Sequence, residues 1–312
     1  MMNAELTSGT SASSFREHRH SAFSILHSSL GSLEVALSSP TDPFREFEHE
    51  GWERVAHAYA TAWPGLTAQF GERLLDAAGV GEGMRVLDVA SGPGVVTRAA
   101  AQRGARAMGL DFSRAMIEVA RAANPGIEFR EGDAQELPFP AATFDRVVMN
   151  FGVLHLSDPD RAFAEARRVL RPGGRYGFTV WAAHERNRGM GIVAAAVERY
   201  GQPAVGIPAG PDRLRFAQEA ECRRTLSAAG FDPTTFSFTT HDVRWLAPTA
   251  TYLLDIQRDA AVRAAAALRQ QPPERLARIR EEVEREVSAF RTDGGFAVPM
   301  SAHMVTAATA AR

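Results

Sequence analysis

The chain has 312 residues, room for about two average domains or one domain with large additions. Its 35 basic and 37 acidic side chains leave a formal net charge of −2, so no bulk cationic field exists to recruit nucleic acid or an anionic membrane. Cys222 is the one cysteine and there is no lysine, which excludes an internal disulfide, a thiolate zinc cluster, Schiff-base chemistry and a phosphate-loop lysine.

No apolar run approaches the ~18 residues that span a bilayer, and no apolar core follows a basic start at the N-terminus. The expectation is a cytoplasmic protein without a membrane span. Residues 1–43 read as a largely disordered tail that carries one short helix. In that helix, 21–38, Phe23, Leu26, Leu30, Leu33 and Leu37 step by threes and fours along one stripe. The plain reading is a helix laid on the domain surface; the alternative is a seam between two copies, giving a homodimer.

Residues 44–82 form an N-terminal helical cover: two helices over 44–78, separated by Pro64-Gly65. From 83 to 184 short β-branched runs alternate with helical stretches. Strands are predicted at 85–89, 105–110, 127–131, 146–150 and 175–180. Strands joined by helical links of about 10–20 residues imply a parallel sheet with helices on both faces, an α/β fold. Residues 185–312 change rhythm. Helices are predicted at 189–200 and 216–229, and a strand at 236–245. A long Ala-rich helix follows from Thr249 to about Gln270. After Pro272-Pro273 comes a helix with Leu276, Ile279, Val283, Val287 and Phe290 on one side, then closing strands at 296–298 and 304–306.

The first strand runs into Asp88-Val89-Ala90-Ser91-Gly92-Pro93-Gly94, a small-residue turn ahead of a helix. Ligands of open α/β sheets sit at the carboxyl ends of strands, and Gly92 and Gly94 carry no Cβ to block a close approach. Asp88 suits an ammonium group or, alternatively, caps the amides of its own turn. A dinucleotide fingerprint would place a third small residue at 97, which is Thr97, and would not normally put an acid inside the strand. Asp111 ends the second strand 17 residues after Gly94, where an acid can accept from both hydroxyls of a ribose. Phe112 is placed to lie on a purine face. The rival reading has Asp111 and Ser113 capping the next helix; Ser113 fits that cap better. Asp133 ends the third strand, and a carboxylate there can accept from an exocyclic amine. The fourth ends in Asn150-Phe151-Gly152-Val153-Leu154-His155.

Together these segments resemble the class I S-adenosylmethionine-dependent methyltransferases, in the small-molecule branch related to the quinone-biosynthesis C-methyltransferases. The resemblance is strong from about Trp52 to Val180 and loose beyond. It implies a Rossmann-like seven-stranded sheet of order 3-2-1-4-5-7-6, an S-adenosylmethionine-binding core over 83–184, and an acceptor-side helical lid with closing strands over 185–312. It implies that Asp88, Ala90, Gly92 and Gly94 surround the methionine part of the cofactor, with Asn150 also touching it. Asp111 would hold the ribose, Phe112 would lie beside the adenine, and Asp133 and Ala134 would meet its edge. The segment around Trp52 and Tyr59 looks like the helix that closes over the cofactor, with Tyr59 reaching its carboxylate. Ser91 and Pro93 stand where relatives often carry Cys or Gly and Thr, and Pro93 removes one amide donor from the turn.

A methyl sulfonium is already activated, so the protein must align an acceptor behind the methyl group in a dry site; no metal is required and the product is S-adenosylhomocysteine. His155 lies past the fourth strand, on the loop that faces the methyl group in this architecture. It reads as a general base or acceptor-orienting residue; the alternative is a histidine packed on the cofactor cover. Trp181 and His184 follow the fifth strand, Trp181 as a wall of the acceptor site. Aromatic and aliphatic residues dominate the C-terminal segments, which favours a small, largely apolar acceptor over nucleic acid. Two other classes remain open: a nicotinamide-type oxidoreductase on the same sheet, and a non-catalytic cofactor-binding assembly module.

Overall fold

A computed structural model describes residues 42–311. The expected tail, its 21–38 helix and the dimer seam built on that helix lie outside the described residues. Helix α1, Pro43–Ala62, starts at Asp42, whose carboxylate accepts from the backbone N–H groups of Phe44 and Arg45, both at 3.1 Å. Helix α2, Pro64–Ala78, ends on Gly79, which takes a left-handed φ of 66°.

An alternating βα run follows: β1 Arg85–Val89, α3 Val95–Gln102, β2 Arg106–Asp111, α4 Arg114–Ala123, β3 Glu128–Glu131, β4 Phe144–Asn150, α5 Pro159–Val169 and β5 Leu170–Trp181. These five strands pair in parallel. Alternation along them sets the two faces. Val86 and Val148 pack with α2 and α3. Leu87, Val89, Val147 and Met149 pack with Phe163 and Ala166 of α5 on the other side. The remaining elements are α6 Arg188–Tyr200, α7 Glu219–Ala228, β6 Asp232–Ala247, α8 Tyr252–Asp259, α9 Arg263–Arg269, α10 Pro273–Val287, β7 Arg291–Thr292 and β8 Gly295–Ala308. Strand β8 runs antiparallel to β5, and β6 antiparallel to β8.

The sheet order is β3-β2-β1-β4-β5-β8-β6, with β7 hairpinned onto the start of β8. The described residues thus form eight strands where seven are predicted. With the two-residue β7 set aside, the order is the expected 3-2-1-4-5-7-6, β8 standing in the seventh place. The two short closing strands expected at 296–298 and 304–306 are one 14-residue strand.

The Ala-rich helix expected from Thr249 to Gln270 is broken into α8 and α9 at Ala260–Val262. Two tertiary contacts override its propensity. The Trp63 indole N–H donates to the Ala260 carbonyl at 2.7 Å. Val262 fills the space beside Gly51, where any Cβ would lie 2.3 Å from a Val262 methyl. Helices α6, α8 and α10 bury Ile192, Val193, Leu253, Leu254, Ile279 and Val283 against the outer reach of β6 and β8, in one core with Leu66 and Phe70 of α2.

Candidate active site

Strand order reverses between β1 and β4, which places a crevice at their carboxyl ends. The backbone is unusual there. Ala90, just past β1, and Phe151, just past β4, hold left-handed φ values of 54° and 60°. Non-glycine residues bear this conformation at a cost, and it concentrates at functional sites. The two tips nearly touch: a Cβ on Gly152 would lie 2.7 Å from that of Ala90.

A cavity opens on this point, lined by Ala90, Gly92, Asp111, Phe112, Asp133, Ala134, Gln135, Asn150, Phe151 and His155, and roofed from α1 by Arg45, Trp52 and Tyr59. It is narrow, about 80 Å³. Small-ligand sites usually enclose about 300 Å³ or more. The roof is held down by an ion pair between Arg45 and Asp133 at 2.8 Å and by the edge-to-face contact of Trp52 with His155.

Eight of the ten residues predicted to meet a cofactor line this cavity: Tyr59, Ala90, Gly92, Asp111, Phe112, Asp133, Ala134 and Asn150. Asp111 is not left free by Ser113. Ser113 does cap α4 through Met116, but the Asp111 carboxylate also accepts from the N–H of Gly92 at 2.8 Å and of Ser113 at 3.0 Å. A carboxylate has about four acceptor positions, so two remain. Burial pushes the Asp111 carboxyl up to about 6, the nearby Glu53 charge adding to it and the two amides opposing. Asp133 accepts from the Gln135 N–H and pairs with Arg45. Asn150 is pinned by the Thr67 carbonyl at 3.2 Å and the Thr179 hydroxyl at 2.6 Å.

Asp88 and Gly94 are not on the cavity wall. Asp88 lies behind it, accepting from the Thr97 hydroxyl at 2.7 Å; its other oxygen is buried without a partner. Burial pushes this carboxyl up to about 7. Gly94 is left-handed (φ 80°) and packs so closely on Phe129 that a Cβ would lie 2.5 Å from the ring. Its role in this arrangement is to let β3 and the turn close up.

A second, wider cavity of about 500 Å³ lies between α6, α9 and the loop ahead of α7, lined by Trp181, His184, Met190, Val193, Val197, Arg213, Gln257, Arg263 and Leu268, among others. A small third cavity lies between the two. It shares Trp52, Tyr59, Phe151 and His155 with the first, and Leu154, Trp181, Met190, Arg213 and Gln257 with the second. Phe151 stacks on Trp181 with ring centroids 4.0 Å apart, so the strained β4 tip walls both sides.

Sequence reasoning missed Glu48, Arg45, Gln135, Arg213 and Arg263. Gln135 directly follows Asp133-Ala134 at the third tip; the other four reach the site from distant segments, and none of those four sits in a motif. Glu48 alone carried a local signal, standing one helical turn before Trp52, whose indole N–H donates to it at 3.1 Å. Among the described residues no group of three or more His, Cys, Asp and Glu is placed to hold a metal, and no helix is long and apolar enough to cross a membrane.

The sheet order and the crevice at its switch point are those of the class I methyltransferase fold, and the chain resembles the quinone-biosynthesis branch of that class. Residues 87–178 match the family described as "Methyltransferase domain". Over 111 residues, 36% of this chain and 47% of the relative, the chain is 40% identical to a demethylmenaquinone methyltransferase of Renibacterium salmoninarum. Over 160 residues, 50% of this chain and 57% of the relative, it is 36% identical to an uncharacterised protein of Mycobacterium tuberculosis. The chain spans about half the length of the curated relatives it matches. The fold is similar to that of Haemonchus contortus phosphoethanolamine N-methyltransferase 2 in complex with S-adenosyl-L-methionine, with a TM-score of 0.51 at 16% identity over 87% of this chain and 61% of that one. It is also similar to a chain of the complex between the Haloferax volcanii Trm112 methyltransferase activator and a methyltransferase, with a TM-score of 0.54 at 19% identity over 86% and 98%.

Proposed function

We propose that the protein is an S-adenosylmethionine-dependent methyltransferase acting on a small, largely apolar metabolite. The observation that carries this reading is the convergence of four strand tips on one cavity, with a buried acid from β2, an aromatic ring beside it, an acid from beyond β3 and two strained tips at the switch point. The residues fit the cofactor. Asp111 keeps two acceptor positions for a ribose; Phe112 and Met116 offer apolar faces for a purine; Ala90 and Gly92 present backbone with little side chain in the way. Tyr59 and Asn150 are the polar groups nearest the tips of β1 and β4. Burial and the Asp111 charge hold the Tyr59 phenol well above its usual range, so it stays a neutral donor.

S-adenosylmethionine supplies a methyl group on a cationic sulfur that is already reactive toward nucleophiles. The chain's own work is to bind, orient and exclude water. The second and third cavities form the acceptor site in this reading. Met190, Val193 and Val197 of α6 and Leu268 of α9 provide its apolar walls, and His184, Gln257 and Arg213 its polar points. Phe151 and Trp181 separate acceptor from cofactor except where the third cavity passes.

Incubation of the full chain with methyl-tritiated S-adenosylmethionine and a panel of quinols, phenols and polyketide-like acids tests the reading. It expects label in the organic extract with at least one acceptor. Label transfer only to nucleic acid or protein would overturn it.

A further inference from the structure

We infer that Glu48 is the positioning residue for a His155 general base, through a hydrogen bond to Nδ1 that leaves Nε2 as the proton acceptor toward the first and third cavities. This rests on the methyltransferase reading for the role of the base, though not for the geometry.

Glu48 is fully buried, an uncommon place for a carboxylate without partners. It has three. Its Oε2 lies 2.9 Å from His155 Nδ1 and accepts from the Trp52 indole at 3.1 Å, and its Oε1 forms an ion pair with Arg263 at 3.0 Å. Arg263 is held in turn by the Leu154 carbonyl, next to His155, and lies over the Phe44 ring. Three separate segments therefore meet in one cluster: α1, the loop after β4, and α9.

A carboxylate accepts and does not donate, so the Glu48 contact fixes the Nδ1–H tautomer of a neutral imidazole. The lone pair is then on Nε2, which has no hydrogen-bond partner among the described residues. About a quarter of the side chain (23%) is accessible, and His155 lines both the first and the third cavities. Trp52 meets the ring edge-to-face at 4.8 Å and fixes its plane. The charged groups facing the imidazole are Glu48 from α1, Arg263 from α9 and Arg213 from the loop ahead of α7. Burial holds its proton affinity below the usual histidine range, Glu48 works against that, and the two guanidiniums reinforce it. The ring is thus neutral, and able to take a proton, at pH 7.

The step balances. The acceptor's bond to hydrogen breaks with the proton passing to Nε2, and its electron pair forms the bond to the methyl carbon. The carbon–sulfur bond breaks with its pair left on a neutral thioether. The positive charge of the sulfonium ends on the imidazolium, which loses its proton to solvent after product leaves. Because Glu48, Trp52 and Tyr59 share α1, the helix that roofs the first cavity also sets the base beneath it.

The test is long-range proton–nitrogen NMR of the full chain labelled at histidine, with the His155 signals identified by their loss in His155→Gln. The expected wild-type result at pH 7.5 is protonation at Nδ1 only. In Glu48→Gln the histidine should titrate about one unit lower, since an opposite charge at this distance is worth about 1–3 units. In Glu48→Ala the tautomer preference should be lost. A wild-type ring protonated at Nε2, or an unshifted titration in Glu48→Gln, overturns the inference. The wild-type tautomer needs no variant, so an unfolded mutant leaves the test intact. Calorimetric titration with S-adenosylhomocysteine on the same sample separates the two readings: binding with the wrong tautomer removes only the base, and failure to bind removes the methyltransferase reading itself.

Discussion

The two ends of the candidate site are built by different means. The cofactor side stands on the tips of β1, β2, β3 and β4, where each functional residue lies within a few positions of a strand end and the backbone itself is bent to shape at Ala90 and Phe151. The acceptor side is a space of about 500 Å³ between helices added after β5, lined by residues from 154 to 268 that come together only by long-range packing. The first is narrow and the second wide; each is mostly apolar with two carboxyl groups on its wall, Asp111 and Asp133 in the first, Glu198 and Asp212 in the second. The difference teaches that the general half of a two-substrate reaction can be written into local turns, whereas the half that selects the acceptor is written into helix packing.

Asp111→Ala should have the largest effect. It removes the ribose acceptor and two charge-assisted bonds accepted from backbone N–H groups, one of the Gly92 turn and one of Ser113 at the start of α4, at about 1.5–3 kcal/mol for each. Affinity for S-adenosylhomocysteine should fall by at least about 100-fold in calorimetry. Unchanged affinity would show that the tips are not where the nucleoside sits.

Next come the two glycines of the turn, which the structure separates. Gly94→Ala must displace the Phe129 ring as well as bear a left-handed backbone, and should cost about 3 kcal/mol in urea unfolding. Gly92→Ala has open space, its Cβ 3.8 Å from Tyr59, and should cost about 1 kcal/mol from backbone strain alone. Equal losses would contradict the packing role given to Gly94.

A smaller effect should come from pH. The Asp111 carboxyl, pushed up to about 6, is mostly protonated at pH 5 and ionised by pH 7.5. Ribose hydroxyls donate to the ionised form, so S-adenosylhomocysteine should bind more tightly as pH rises, by about tenfold across that range. A flat or falling profile would remove Asp111 from the binding step. The smallest effect belongs to the acceptor side: His184→Ala, which lines only the second cavity of the three, should leave S-adenosylhomocysteine affinity within about twofold. A large loss there would join the two halves that the structure keeps apart.

Local rules carried the reading where local geometry decides. The bounds of β1 are those expected, because Val86-Leu87 and Val89 are bracketed by a polar start and a glycine turn. Ser113 caps α4 as its position suggests. The reading stopped at contacts that distant chain supplies. Arg45 reaches Asp133 across 88 positions and takes an oxygen that the sequence left free for adenine. Trp63 draws on Ala260 and breaks a helix whose composition favours continuity. Asp88 stands in the motif yet accepts from Thr97 of α3, since it is level with Gly109 and Val148, one strand repeat below Asp111 and Asn150. The Glu48–His155–Arg263 cluster has no sequence signature, for its members lie on three elements.

The central claim is that the crevice at the β1–β4 switch point grips an adenosyl thioether. Calorimetric titration of the full chain with S-adenosylhomocysteine and, separately, with NADH tests it most directly. The account predicts one site for the first ligand, abolished by Asp111→Ala, and no heat of binding from the second. Saturable binding of NADH with none of S-adenosylhomocysteine would contradict it.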